Sequence, residues 1–228
     1  MNGFDFPPAA GRWFRRIGAA LLLLALLWTV LTVTVDVADI GPMGTRVGFS
    51  GVNGQLARAF PYDETLYLVT QAIGLCALAV VAAFALLGLV QWIRRRSLRR
   101  VDRELWALGV LYAATAALYL FFEIVVVNYR PVLLPGETFP AASYPSSHTM
   151  LAIVVFGSAA FALPRLFRRR FCLVLQMILP LPMIAMILGR VHAGVHWFTD
   201  VVGGVLFGLG LLMLYLGLRD VGRPKPTE

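Results

Sequence analysis

The sequence predicts an all-α, polytopic membrane protein with six transmembrane helices. Of its 228 residues 59% are hydrophobic and only 14% charged, and the mean hydropathy is +0.78. That is more apolar surface than a compact soluble core can hide. Six apolar runs each approach the length of about 20 residues that a helix needs to cross a bilayer. The arginines gather in the segments between these runs, the pattern of membrane topology rather than of a polyanion-binding face.

In chain order the runs cover roughly 17–35, 66–93, 105–127, 147–163, 171–188 and 197–218. The first follows a basic start and reads as a retained anchor, because no small-x-small cleavage site comes after it. Between the first two runs, Phe49, Val52, Leu56 and Phe60 recur at helical spacing. A short helix over 49–60 lying on the outer membrane surface and an ordinary loop fit this segment equally. The third run is expected to end at Arg130-Pro131, with Pro131 stopping the helix. The fourth has its apolar core from Thr149, and Ser146 and Ser147 extend it as a first turn. Cys76 and Cys172 fall inside apolar runs and read as buried thiols, with no disulfide or metal motif. A single membrane domain over 1–228 is expected, without repeats or linkers.

The net charge of +8 comes from 19 arginines and one lysine, Lys225. Arg12, Arg15 and Arg16 precede the first run. Arg94, Arg95, Arg96, Arg99, Arg100 and Arg103 separate the second from the third. Arg165, Arg168, Arg169 and Arg170 separate the fourth from the fifth, and Arg219, Arg223 and Lys225 follow the sixth. All of these fall on one side, which identifies it as cytoplasmic together with both termini. The other side carries Arg46, Arg58, Arg130 and Arg190 against Asp36, Asp39, Asp63, Glu64 and Glu137. A plasma-membrane protein is expected, with no nucleic-acid partner. Its size and its abundance of arginine and alanine point to a bacterial source.

The polar chemistry lies on the outer side, in Pro145-Ser146-Ser147-His148 and in the stretch from Gly189 to Asp200. If His196 and Asp200 both lie on the sixth helix, their spacing puts them on one face within hydrogen-bonding reach. A carboxylate on one imidazole nitrogen leaves the other as a lone pair, the arrangement of a nucleophile or base. An acidic residue that merely stabilises a helix N-terminus would look the same. Ser146 is a good N-cap for the fourth helix, and free N–H groups at such a terminus bind anions. His148, in the first turn, is placed to protonate a leaving oxygen. Arg130 and Arg190 suit a bidentate grip on phosphate oxygens. Each motif alone is explained by capping or solvation. Together, two arginines, two histidines, an aspartate and a helix N-terminus at one membrane level are what phosphoryl transfer to a histidine requires, without a metal or other cofactor. His192, between Arg190 and His196, reads as a loop histidine without a role.

With these residues in view, the sequence resembles the PAP2 (type 2 phosphatidic acid phosphatase) superfamily. Its signatures are Lys-x6-Arg-Pro, Pro-Ser-Gly-His and Ser-Arg-x5-His-x3-Asp on a six-helix membrane core. The second reads here Pro145-Ser146-Ser147-His148. The third reads Gly189-Arg190, then His196, then Asp200, with its spacing intact. The first keeps Arg130-Pro131 but has Glu123 in place of the lysine. The resemblance implies that His196 is the nucleophile, that Asp200 orients it, and that His148 is the general acid. Arg130, Arg190, Ser146 and the backbone of Ser147 and His148 would hold phosphate. It also implies a metal-independent hydrolase acting on a lipid phosphate or diphosphate at the outer face, such as polyprenyl diphosphate, phosphatidic acid or phosphatidylglycerol phosphate. A headgroup transferase and a catalytically weakened lipid-binding or transport homologue are the alternatives, the latter motivated by Glu123. Glu123 is expected to modulate the site by pairing with an arginine or by meeting a cationic headgroup.

Overall fold

The computed structural model describes residues 8–167 and 170–219. Arg168, Arg169, Arg223 and Lys225, used above for topology, lie outside the described residues, as does the side chain of Arg170. Among the described residues the chain forms eight α-helices and no strands: α1 Pro8–Thr34, α2 Ser50–Ala59, α3 Glu64–Arg95, α4 Arg103–Ile124, α5 Ser147–Phe167, α6 Arg170–Ile178, α7 Pro180–His192 and α8 Phe198–Leu218. Six helical stretches are long and apolar enough to cross a membrane, α6 and α7 together making the fifth. The protein is thus an all-α membrane protein.

Helices α5 and α8 are central: 67% and 56% of their apolar windows are buried, against 11–28% for the other four spans. The outer helices therefore turn most of their surface toward lipid. Helix α1 packs along α8 through small residues that let the backbones approach. A Cβ added at Gly18 would lie 2.8 Å from the Leu214 nitrogen. At the end of that seam Arg15 donates a 2.8 Å hydrogen bond to the Gly217 carbonyl.

The arginine-rich end is closed by a buried ionic cluster. Glu104, at the start of α4, accepts from Arg165 of α5 at 3.2 Å and lies 3.7 Å from Arg219 after α8. The Tyr215 hydroxyl donates to the same carboxylate. One carboxylate thus ties the ends of three helices. The predicted site residues lie at the opposite end.

The structure departs from the sequence expectations in four places. Helix α4 stops at Ile124, well before Pro131; the run Val125-Val126-Val127, stiff at χ1, follows instead. The fifth span breaks between α6 and α7, where Pro180 has no N–H to continue the ladder. Helix α8 begins after the N-cap Trp197, so His196 is not helical. Cys172 is buried but Cys76 is exposed on the outside of α3; apolar neighbours in sequence mean lipid there, not protein.

A ten-residue helix, α2, occupies most of 49–60. Its buried member is Asn53 rather than the apolar stripe, with Val52 exposed. Asn53 donates to the Gly48 carbonyl at 2.7 Å and to Thr199 Oγ1 at 3.0 Å, and accepts from the Thr199 N–H at 3.3 Å. It therefore caps the start of α8 from outside.

Candidate active site

The first turn of α8 sets the geometry. Asp200 is the third helical residue and fully buried; its Oδ2 accepts from the Trp197 N–H at 3.0 Å, satisfying a donor at the helix start. Its Oδ1 accepts from Asn128 Nδ2 at 2.8 Å. His196, just before the cap, turns its Nδ1 toward Asp200 Oδ2 at 3.6 Å. The pair is close because the chain turns into the helix at Trp197, not because both residues share a helical face.

Arg190 sits in the last turn of α7 and is fully buried. Its Nη2 lies 3.0 Å from His196 Nε2, and its Nη1 donates to Thr70 Oγ1 at 3.1 Å. The guanidinium also stands over the Tyr67 ring at 5.7 Å. A guanidinium only donates. His196 Nε2 is therefore the acceptor, and the ring proton belongs on Nδ1, on the Asp200 side. Burial first, then the Arg190 and Arg130 guanidiniums, hold the His196 pKa well below the ordinary histidine value of 6.5. The resting imidazole is neutral, with its lone pair on the arginine side.

The segment 125–146 brings the remaining groups over this point. Its two arms pair through a bridge at Tyr129 and Ala142, with Arg130 N donating to Ala141 O at 3.0 Å and Ser143 N to Asn128 O at 2.9 Å. Trp197 Nε1 fastens it to α8 through the Tyr129 carbonyl at 2.6 Å. Ser146 N donates to Asp200 O at 2.9 Å, joining the start of α5 to α8.

Arg130, Ser147, His148 and His196 face a common cavity of about 120 Å³, with Glu123 and Tyr119 on its α4 wall. Arg130 Nε and Arg190 Nε are both buried without an acceptor. Glu123, at the end of α4, makes no ion pair among the described residues and lies beside Tyr119. Arg130 is not helical, so the two share the cavity through the fold of the loop rather than through helical periodicity.

Two expected residues are placed differently from the rest. Ser146 is fully buried, and its hydroxyl donates to Thr149 Oγ1 at 3.0 Å, so it orders the start of α5. His192 ends α7, with Nδ1 2.8 Å from the Leu188 carbonyl and its ring 4.3 Å from that of Phe60. It holds α2 against α7.

Asn53, Asn128, Thr199, Tyr67 and Thr70 also support the site, outside the three motifs. Thr70-Gln71 had a usable signal, a polar pair inside an apolar run. Gly189 is explained by the same neighbour: a Cβ there would lie 2.7 Å from Thr70 Cγ2, so α7 and α3 meet where a serine side chain would stand.

The arrangement sets one guanidinium, Arg130, and two imidazoles, His148 and His196, around one cavity, with Arg190 fully buried against His196 and outside the cavity lining. A family model described as the PAP2 superfamily matches residues 104–221. Among solved structures, the chain is similar to one described as the first transmembrane PAP2 type phosphatidylglycerolphosphate phosphatase from Bacillus subtilis. The TM-score is 0.60 at 19% identity, covering 88% of this chain and 93% of that one. Comparison with curated protein sequences gives no match.

Proposed function

The chain belongs to the PAP2 superfamily, and on that premise we propose that it is a membrane lipid phosphatase working through a phosphohistidine on His196. The observation that carries this reading is the 3.0 Å contact of Arg190 Nη2 with His196 Nε2, which sets a guanidinium suited to phosphate beside the unprotonated ring nitrogen.

The lipid phosphate enters with its oxygens on Arg190, Arg130 and the N–H groups at the start of α5. Nε2 of His196 attacks phosphorus and the bond to the lipid oxygen breaks. His148 gives its proton to that oxygen, releasing the lipid alcohol. Asp200 holds the Nδ1 proton and stabilises the charged imidazole. Water then attacks the phosphohistidine and yields its proton to the now neutral His148. The N–P bond breaks, inorganic phosphate leaves, and His196 returns to its resting state. Asn128 and Asn53 hold Asp200 and the α8 terminus in place. The site opens outward from the plasma membrane, because the arginine-rich end is the cytoplasmic one.

Purified protein in detergent with EDTA present is expected to release inorganic phosphate from at least one of phosphatidic acid, phosphatidylglycerol phosphate and polyprenyl diphosphate. Release from none of them overturns the proposal. Analysis of the lipid product separates hydrolysis from headgroup transfer.

Glu123 favours a second reading, a weakened homologue that binds lipid phosphate without turning it over. A carboxylate in the cavity opposes a dianion, though exposure screens it. Glu123→Lys is therefore expected to lower KM several-fold while kcat changes less than about threefold, since the charge acts on binding rather than on the reacting bond. A rise in kcat of a hundredfold or more, from a nearly inactive parent, would establish the second reading.

A further inference from the structure

A groove leads away from the site between α3 and α4. Its outer half, about 530 Å³, begins at Ser147 and His148 and passes Gly74, Tyr119 and Thr115. Its inner half, about 460 Å³, continues to Trp92 and Trp106. The two halves share Val81 and Tyr112 in their walls, so they adjoin along the helix pair. Along α3 the lining runs from Gln71 to Trp92. At about 1.5 Å per residue this is roughly 30 Å, the thickness of a whole hydrocarbon core rather than of one leaflet. Two tryptophans close the far end, where such rings favour the interface with water.

The inner half is kept open by two glycines facing it from opposite helices, Gly88 of α3 and Gly109 of α4. A Cβ added at either would meet nothing within 4 Å. Both stand far from the histidines and take no part in the chemistry. Small residues between transmembrane helices usually serve close packing; these two border open space instead.

We propose that this groove holds the tail of the substrate, and that Gly88 and Gly109 select for a lipid phosphate or diphosphate whose single flexible tail runs past the bilayer midplane. The inference rests on the phosphatase reading above and names its substrate class. A tail confined to one leaflet would fill only the outer half, beside His148. A longer one gains apolar contact along the inner half as well, at about 25 cal/mol per Å² of buried surface.

The test uses one headgroup and two tail lengths: polyprenyl diphosphates of about 55 and about 15 carbons, with phosphatidic acid as a third substrate. Wild type is expected to show a kcat/KM at least about tenfold higher for the long chain, the size of effect that a few extra buried methylene groups give. Gly88→Leu/Gly109→Leu, which fills the inner half, is expected to remove that preference while leaving short-chain turnover within about twofold. Retained short-chain turnover also shows that the variant folds. If the double variant does not fold, Gly88→Leu and Gly109→Leu are read singly in the same way. Equal loss on both chain lengths, or no wild-type preference, overturns the proposal and makes the inner half an ordinary lipid-filled surface. Turnover of phosphatidic acid with neither polyprenyl substrate overturns it while leaving the phosphatase reading intact. Turnover of no substrate at all overturns both.

Discussion

His196→Ala is expected to lower lipid phosphate hydrolysis by at least about ten-thousandfold, with the helical signal and the yield from the membrane unchanged. The size follows from the nature of the loss. Removing a covalent nucleophile removes the reaction path, not one contact among several, and residual rates then come from substrate binding alone. The fold should survive, because Arg190 keeps Thr70 as an acceptor and Tyr67 beneath its guanidinium when the imidazole is gone. Asp200 likewise keeps Asn128 and the Trp197 N–H. Phosphate release measured over a long incubation reads the effect. Turnover within tenfold of the parent would remove His196 from the chemistry.

Asp200→Asn is expected to cost about a thousandfold to ten-thousandfold in kcat, with little change in thermal stability. Two donors, the Asn128 amide and the Trp197 N–H, hydrogen-bond to this side chain, and His196 Nδ1 faces it at 3.6 Å. A carboxylate, being acceptor-only, suits all three. An asparagine must turn its own NH2 toward one of them. Turned toward Asn128, it opposes another donor. Turned toward His196, it favours the tautomer with the proton on Nε2, which has no lone pair for phosphorus. Volume and hydrogen-bond number change little, so a stability readout barely moves while kcat falls. A variant that retained the parent kcat would show that Asp200 serves only to cap α8.

The membrane class and all six spans are legible in the sequence because lipid imposes a length and an apolar composition on every crossing segment. Helix ends are less legible. Pro131 looked like a terminator, yet α4 ends at Ile124 on a run of valines, and the fifth span divides at Pro180. The third motif places His196 beside Asp200, but by a turn into α8 rather than by helical spacing. The supporting residues were hidden for a different reason. Asn53 sits on a segment of mixed apolar and polar residues where it has nothing to mark it, and Asn128 in a loop whose shape depends on pairing with residues 141–143. Their partners, Thr199 and Asp200, lie far along the chain, and periodicity carries no information about contacts between distant segments. The groove between α3 and α4 was hidden likewise, since an apolar helix facing lipid and one facing a tail have the same composition.

The most direct measurement is rapid quenching of the purified protein with a lipid substrate carrying labelled phosphate, followed by peptide mapping. Label is expected on the peptide holding His196, stable to alkali and lost in acid as a phosphoramidate is, and absent from His196→Ala. Brisk turnover in the parent with no protein-bound label at any quench time, or label on a different residue, would contradict a phosphohistidine on His196.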